Sequence, residues 1–134
     1  MNNITDNSLL LHAHCHADQR GQLFVLNRQD MPFIPQRVFW ISQVPEGESR
    51  GGHAHRTCAE AIFAVKGSVQ IVVDDGNGQQ RPFLLDTPDQ GLYIGPNVWC
   101  ELTHFSADCV CVVLASEDYD TEGYIYDYDH FRHG

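Results

Sequence analysis

Apolar and polar residues alternate along this chain in short runs, and nearly every run is bounded by glycine, proline, asparagine or aspartate. That is the two-residue period of half-buried strands with turn residues between them. Leu9 to His16, L-L-L-H-A-H-C-H, opens the series, with His12, His14 and His16 alternating with Ala13 and Cys15. After a turn at Ala17 to Gly21, Gln22 to Asn27 reads as a second strand. Asp30 to Pro35 holds two prolines, which keeps it out of a central strand. Arg37 to Ser42, R-V-F-W-I-S, is β-branched and aromatic and predicts a strand. Pro45 to Gly52 is a charged, glycine-rich loop. Further strands are expected at Ala61 to Val65 and Ser68 to Val73, then at Pro82 to Leu85, Leu92 to Ile94, Val98 to Phe105 and Cys109 to Ala115. Asp74 to Gly78, D-D-G-N-G, is the strongest hairpin signal. No long helical period, repeat or linker interrupts this pattern. About ten short strands on one chain predict an all-β single domain, a sandwich or a barrel.

Composition narrows the picture. The 134 residues suit one domain, residues 1–134, with a real core. An apolar content of 43% argues against disorder. No apolar run approaches the roughly 20 residues of a membrane helix. The start, M-N-N-I-T-D-N-S, lacks the basic-then-apolar order of a secretory signal, so a cytoplasmic protein without membrane contact is expected. The five cysteines (Cys15, Cys58, Cys100, Cys109, Cys111) form no C-x-x-C pair and are expected to be reduced. Cys109 and Cys111 alternate with valines, as small buried strand residues do. A formal net charge of −10 argues against nonspecific nucleic-acid binding, which needs a basic face, though not against a small anionic ligand. Lys66 is the only lysine; the other basic residues are arginines, the better forks for phosphate oxygens. The tail from Ser116 is acidic and tyrosine-rich, a composition that fits either a binding surface or a segment packed on the barrel.

The chemistry concentrates between Gly47 and Gly67. His53 and His55 lie two apart, so on an extended strand they share a face, about 7 Å apart along the chain. Glu60 follows on the next strand, and glycines stand at both ends. The run Gly47, His53-x-His55, Glu60, Gly67 resembles in its spacing the first conserved motif of the cupin superfamily, and that resemblance implies a double-sheet jelly roll. The second cupin motif is incomplete. Pro96-Asn97-Val98 lacks its glycine, Glu101 stands at the position of its histidine, and His104 is off register. His12, His14 and His16 are read as an exposed or interface face, since no acidic residue or cysteine joins them at a metal-site spacing.

A closer resemblance runs from about residue 17 to 131. R-G-x-H-A-H at Arg50 to His55, G-S at Gly67-Ser68, D-D-G at Asp74 to Gly76, G-L-Y-I-G-P-x-x-W at Gly91 to Trp99 and V-L-A-S-x-x-Y-D at Val113 to Asp120 resemble the dTDP-4-keto-6-deoxyglucose 3,4-ketoisomerase family. D-x-R-G at Asp18 to Gly21 and R-V-F-W at Arg37 to Trp40 are similar too. The resemblance implies a cytoplasmic, homodimeric cupin-type jelly roll acting on a dTDP-linked 4-keto-6-deoxyhexose. It implies transfer of the ketone to C3 without metal or redox cofactor, in the synthesis of deoxyamino sugars of surface polysaccharides such as O-antigen. The family's catalytic histidines carry over onto His53 and His55. Two positions depart from the pattern. The family often has glutamine at the position of Glu60, and it varies beside the tryptophan, where Cys100 stands.

Moving a ketone by one carbon needs a base for the proton beside it, and a proton relay between the two oxygens, through an enediol or enediolate. Histidine, with an ordinary pKa near 6.5, suits both tasks. The reading taken from the sequence makes His55 the carbon base and His53 the oxygen shuttle. Arg37 and Arg50 are candidates for the diphosphate, and Arg20 of D-x-R-G joins them as a substrate-binding candidate. Tyr93 is a candidate to stack on the base or the hexose, whereas Trp99 is expected to fill the barrel. Glu101 is a candidate to orient a catalytic histidine. Two other readings stay open: a metal-dependent cupin enzyme such as a dioxygenase, with His53, His55 and Glu60 as ligands, and a cupin that binds a sugar nucleotide without turning it over.

Overall fold

The computed structural model describes residues 8–133. The first residues, read above for a leader pattern, lie outside that range. Twelve strands carry the chain: β1 (Ser8–His12), β2 (His14–Asp18), β3 (Gly21–Val25), β4 (Arg37–Ser42), β5 (Arg50–His55), β6 (Glu60–Lys66), β7 (Val69–Asp74), β8 (Gln80–Leu85), β9 (Gln90–Ile94), β10 (Trp99–Thr103), β11 (Val110–Ala115) and β12 (Tyr124–Ile125). One short helix, α1 (Tyr128–His133), ends it. The strands form two five-stranded sheets, β1-β9-β6-β11-β4 and β12-β5-β10-β7-β8, plus the separate hairpin β2-β3. Every pairing is antiparallel. Two sheets facing each other, with neighbours distant in sequence, make a jelly roll, the form of sandwich that the cupin resemblance implied.

Alternation places the core between the sheets. β11 shows it directly: Cys111, Val113 and Ala115 are buried, and the residues between them are half-buried. Ile62, Ile71, Leu85, Leu92, Val73 and Val113 fill the interior with almost no exposure. Cys109 and Cys111 sit in this core, their sulfurs 3.7 Å apart. All five cysteines are free, and Cys15 alone among them is exposed. A second apolar layer lies on the outer face of the first sheet, where Leu11, Ala61 and Phe63 pack with Phe33 and Tyr93.

Three features differ from the sequence reading. Leu9 to His16 is not one strand. It breaks at Ala13, whose N–H donates to the Asp89 carbonyl, so the first half pairs with β9 and the second with β3. The loop expected to run to Gly52 turns into β5 at Arg50. The tail forms β12 and α1, elements that the sequence reading did not assign. Among the described residues, no helix is long and apolar enough to cross a membrane.

Candidate active site

β5 carries the paired histidines. It is held on one side by β10, with Cys100 opposite His53, and on the other by β12, with Tyr124 opposite His55. Glycine is required beside them: a Cβ on Gly51 would stand 3.0 Å from the Cys100 carbonyl, and Gly51 has a φ of +90°. A bulge between Cys100 and Glu101 accompanies this close approach. The shared face expected of His53 and His55 is present. Their rings meet edge to face, with centroids 4.8 Å apart and planes at 85°. Glu60 reaches them from the other sheet, as the first residue of β6. The site therefore lies in the throat between the two sheets.

His53 and Glu60 line a cavity of about 420 Å³, together with Arg50, Cys100, Tyr124 and Tyr126. Its floor is apolar, built by Ile62, Leu102 and Val113. His55 stands one layer deeper, only 5% exposed. Nε2 of His55 lies 3.2 Å from Oε2 of Glu60, whose residue is also 5% exposed. The approach is close but not aligned, and Nε2 has no hydrogen-bond partner among the described residues. The donor atoms of His53, His55 and Glu60 all lie within 4.8 Å of one another, so these three would be the ligands of a divalent ion.

Electrostatics separates the two histidines. Burial pushes the pKa of His53 below its ordinary value, and the neighbouring His55 pushes the same way; Glu60 and a hydrogen bond to the Gly51 carbonyl oppose them only in part. His53 is thus a free base at neutral pH. Burial raises the pKa of Cys100 far above the range of a thiolate, so this cavity thiol is no nucleophile.

The tail supplies a wall that the sequence reading left open. Tyr124 sits 4.5 Å from the His55 ring and 4.9 Å from His53, and Tyr126 stacks on Tyr124 at 5.4 Å with planes 10° apart. Tyr119 closes the row, 5.8 Å from Tyr124. The abundance of tyrosine in the tail was the only signal of this.

The other candidates divide. Arg50 lines the cavity. Arg37 lies at its edge, over the rings of Phe39 and Tyr119, with its Nε buried and unpartnered among the described residues. Glu101 points outward, toward Ser49 at 3.4 Å, because the inward positions of β10 belong to Cys100 and Leu102. Tyr93 also faces outward, 6.2 Å from Phe33 in the second apolar layer. Arg20 sits at the tip of the β2-β3 hairpin, paired with Asp18 at 2.6 Å and away from the cavity. Trp99 packs against Tyr128 and Phe131, as expected of a filling residue. His104 is exposed and bonded to Thr103. His12, His14 and His16 form no cluster; His14 instead pairs with Asp30 at 3.1 Å.

Comparison with known proteins agrees with this geometry. The family model described as FdtA: WxcM-like, C-terminal, matches residues 6–134. A TDP-4-oxo-6-deoxy-alpha-D-glucose-3,4-oxoisomerase of Aneurinibacillus thermoaerophilus is 42% identical over 116 residues, covering 86% of this chain and 83% of the relative. A histidine-to-asparagine mutant of the 3,4-ketoisomerase QdtA from Thermoanaerobacterium thermosaccharolyticum, solved with TDP-4-keto-6-deoxyglucose, superposes with a TM-score of 0.93 at 34% identity, over 97% of this chain and 94% of that one. The WlaRB TDP-quinovose 3,4-ketoisomerase of Campylobacter jejuni superposes at 0.91 with 36% identity, over 97% of this chain and 100% of that one. With its motifs, its jelly roll and its histidine-lined cavity in agreement with these matches, the chain belongs to the FdtA, WxcM-like family of sugar 3,4-ketoisomerases.

Proposed function

We propose that this chain is an isomerase that converts dTDP-4-keto-6-deoxyglucose to the 3-keto sugar by proton transfer through an enediolate. The observation that carries this reading is the edge-to-face pair formed by His53, on the cavity lining, and His55, buried against it. The relatives bound to or named for TDP sugars support the substrate class. His53 lines the cavity as a free base, which supports it as the group that takes the C3 proton and delivers one to C4. That reverses the division of labour read from the sequence. His55, deeper and beside Glu60, serves the oxygens, accepting the O3 proton while O4 gains one. No electron leaves the sugar, so the balance closes with two protons moved. The buried thiol of Cys100 and the tyrosine wall keep the enediolate from water. Arg50, with Arg37 behind it, is suited to the diphosphate.

The test is incubation of the protein with dTDP-4-keto-6-deoxyglucose in deuterium oxide, followed by NMR. Deuterium at C4 of a 3-keto product is expected. A sugar recovered unlabelled and unchanged overturns the reading and leaves a binding protein.

A second reading has its own observation, the convergence of His53, His55 and Glu60. A divalent ion held there would polarise the ketone as a Lewis acid. Stoichiometric metal in the purified protein, with activity lost in chelator, would favour it.

We infer the assembly and the setting from two further features. Val38 and Trp40, 52% and 69% exposed, lie on the outer face of the first sheet with Leu9 and Val65. An apolar face of this kind supports a homodimer in which the partner covers it. Five unpaired cysteines support a reducing, cytoplasmic setting.

A further inference from the structure

The reaction as written needs something that neither histidine supplies. The hydroxyl at C3 must be held while its carbon loses a proton, so that the enediolate is protonated at C4 and not returned at C3. His53 is occupied with carbon, and His55 does not reach the cavity surface directly. Glu60 lines the cavity, and its Oε2 lies 3.2 Å from Nε2 of His55. Its charge is felt by groups all round the throat: His53, Arg37, Tyr124 and Cys100. A carboxylate this buried is costly unless it is matched by partners. Here the match is incomplete, because the His55 Nε2 only 3.2 Å away is left without an aligned hydrogen bond. Catalytic contacts that are open in the ligand-free state commonly close when substrate arrives.

We propose that Glu60 is a substrate-positioning residue, and that its carboxylate together with Nε2 of His55 clasps the hydroxyl on the sugar carbon next to the ketone. This rests on the ketoisomerase reading and deepens it. The carboxylate oxygen accepts from O3–H and turns it toward Nε2, the unpartnered atom. Once C3 has lost its proton to His53, the O3 proton passes to Nε2 and the electron pair of the former C3–H bond lies in the C3–C4 double bond. Protonation at C4 and at O4 completes the exchange. The role is that of an acceptor oxygen at a fixed point, so an amide oxygen at the same point fulfils it in part. It also makes a free 3-hydroxyl the feature that the site selects.

Two variants, Glu60→Ala and Glu60→Gln, test this in deuterium oxide with dTDP-4-keto-6-deoxyglucose. Both are first checked for folding by circular dichroism and for TDP binding by calorimetry. In Glu60→Ala, product formation is expected to fall about 100-fold, while deuterium still washes into C3 of the unreacted substrate within about threefold of the wild-type rate. Loss of the clasp uncouples the oxygen proton from the carbon proton. A merely structural role would lower both together. Glu60→Gln is expected to restore product formation to within about tenfold of wild type. The proposal is overturned if Glu60→Ala forms product within twofold of wild type. It is overturned if washout vanishes with product in a folded, TDP-binding protein. It is also overturned if Glu60→Gln is as inactive as Glu60→Ala and has lost a stoichiometric metal, since Glu60 is then a ligand. Wild-type protein that neither forms product nor exchanges deuterium sinks the ketoisomerase reading itself.

Discussion

The phenol of Tyr128 donates to the carboxylate of Asp74, and so ties the C-terminal helix to a strand 54 residues away. Asp74 is 1% exposed and also accepts from the Gly76 N–H at 2.7 Å and from Gln80 at 3.1 Å. Burial disfavours its charge, but these three donors outweigh burial and hold its carboxyl below the ordinary range. Trp99 and Phe131 pack around the contact. The segment held by this bond is the one that brings Tyr124 and Tyr126 against the histidines. Tyr128→Phe is therefore expected to loosen the tyrosine wall without touching the reacting groups. KM should rise about three- to tenfold, with kcat within about twofold of wild type, in steady-state assays. Because the Asp74 carboxyl is depressed, its contribution to stability is present above about pH 4 and is lost as pH falls through its folded pKa. The Tm difference between wild type and Tyr128→Phe should shrink over that acidic window.

His53 sets the second expectation. Its pKa lies below the ordinary 6.5, chiefly because it is buried. As the carbon base it acts only when neutral. The acid limb of kcat/KM is therefore expected below about pH 6.5, with the rate falling as pH drops through the lowered pKa. Stability moves the same way. The unfolded chain takes up this proton first, so acid below about pH 6.5 favours unfolding until the folded pKa is passed. His53→Asn should lower turnover by at least about 100-fold and remove the acid limb from whatever activity remains. An acid limb at or above 6.5 would remove His53 from the role of base.

Much of this was legible in the chain, and the exceptions have physical causes. β4 spans the same Arg37–Ser42 that its β-branched and aromatic residues marked. The site core was legible because His53, His55 and Glu60 lie on two consecutive strands of facing sheets joined by a short turn, so local spacing brings them together. Tyr93 was within reach of the same logic: Leu92 and Ile94 face inward, which turns Tyr93 outward. Glu101 follows from the inward Cys100 and Leu102 in the same way. The tyrosine wall was not legible, since it depends on β12 pairing with β5, a strand far back along the chain. Nor was α1, whose six residues are too few to show a helical period. The break at Ala13 depends on Asp89, a partner far along the chain.

Arg50 is the cationic residue on the cavity lining. A guanidinium offers paired N–H donors to phosphate oxygens. Arg50→Ala is expected to weaken TDP binding about tenfold by calorimetry. Arg81→Ala serves as control, because that guanidinium lies 6.0 Å over Phe83 on the edge strand β8. Its TDP affinity should stay within about twofold of wild type. Equal loss in both variants would mean that net charge, rather than a contact at the cavity, governs binding.

Trp40 is the most exposed of the large apolar side chains on the first sheet, at 69%. Placing a charge there costs little in an isolated subunit, since the side chain already meets water. In a dimer that buries this face, the same charge would be stranded without a partner. Trp40→Asp is expected to halve the mass seen by light scattering while leaving the circular dichroism spectrum intact. An unchanged mass would move the subunit contact elsewhere.

Gly67 closes the motif that began at Gly47, and its place in the fold gives the sharpest stability test. It turns β6 into β7 with a φ of +72°, a conformation that a side chain strains to adopt. A Cβ there would stand 2.3 Å from the Ser106 hydroxyl, 2.6 Å from the Asp108 carboxylate and 2.8 Å from the Cys109 backbone. Those neighbours cannot yield freely. The Ser106 hydroxyl accepts from the Ser68 N–H at 2.9 Å and donates to Asp108 at 2.8 Å, while the Ser106 N–H donates to the Ser68 carbonyl at 2.9 Å. Gly67→Ala must therefore strain the turn and push apart the hydrogen bonds that join it to the loop before β11. Backbone strain of about 1–3 kcal/mol and overpacking of about 1–3 kcal/mol together predict a loss of roughly 2–6 kcal/mol. Gly78 supplies the comparison: its φ is +85° but nothing lies within 4 Å of its Cβ position. Gly78→Ala bears only the strain, about 1–3 kcal/mol. Urea denaturation midpoints separate the two variants, and equal losses would mean that the Ser106 loop moves aside at no cost. Since Gly67 lies outside the cavity lining, the folded fraction of Gly67→Ala should keep the wild-type kcat.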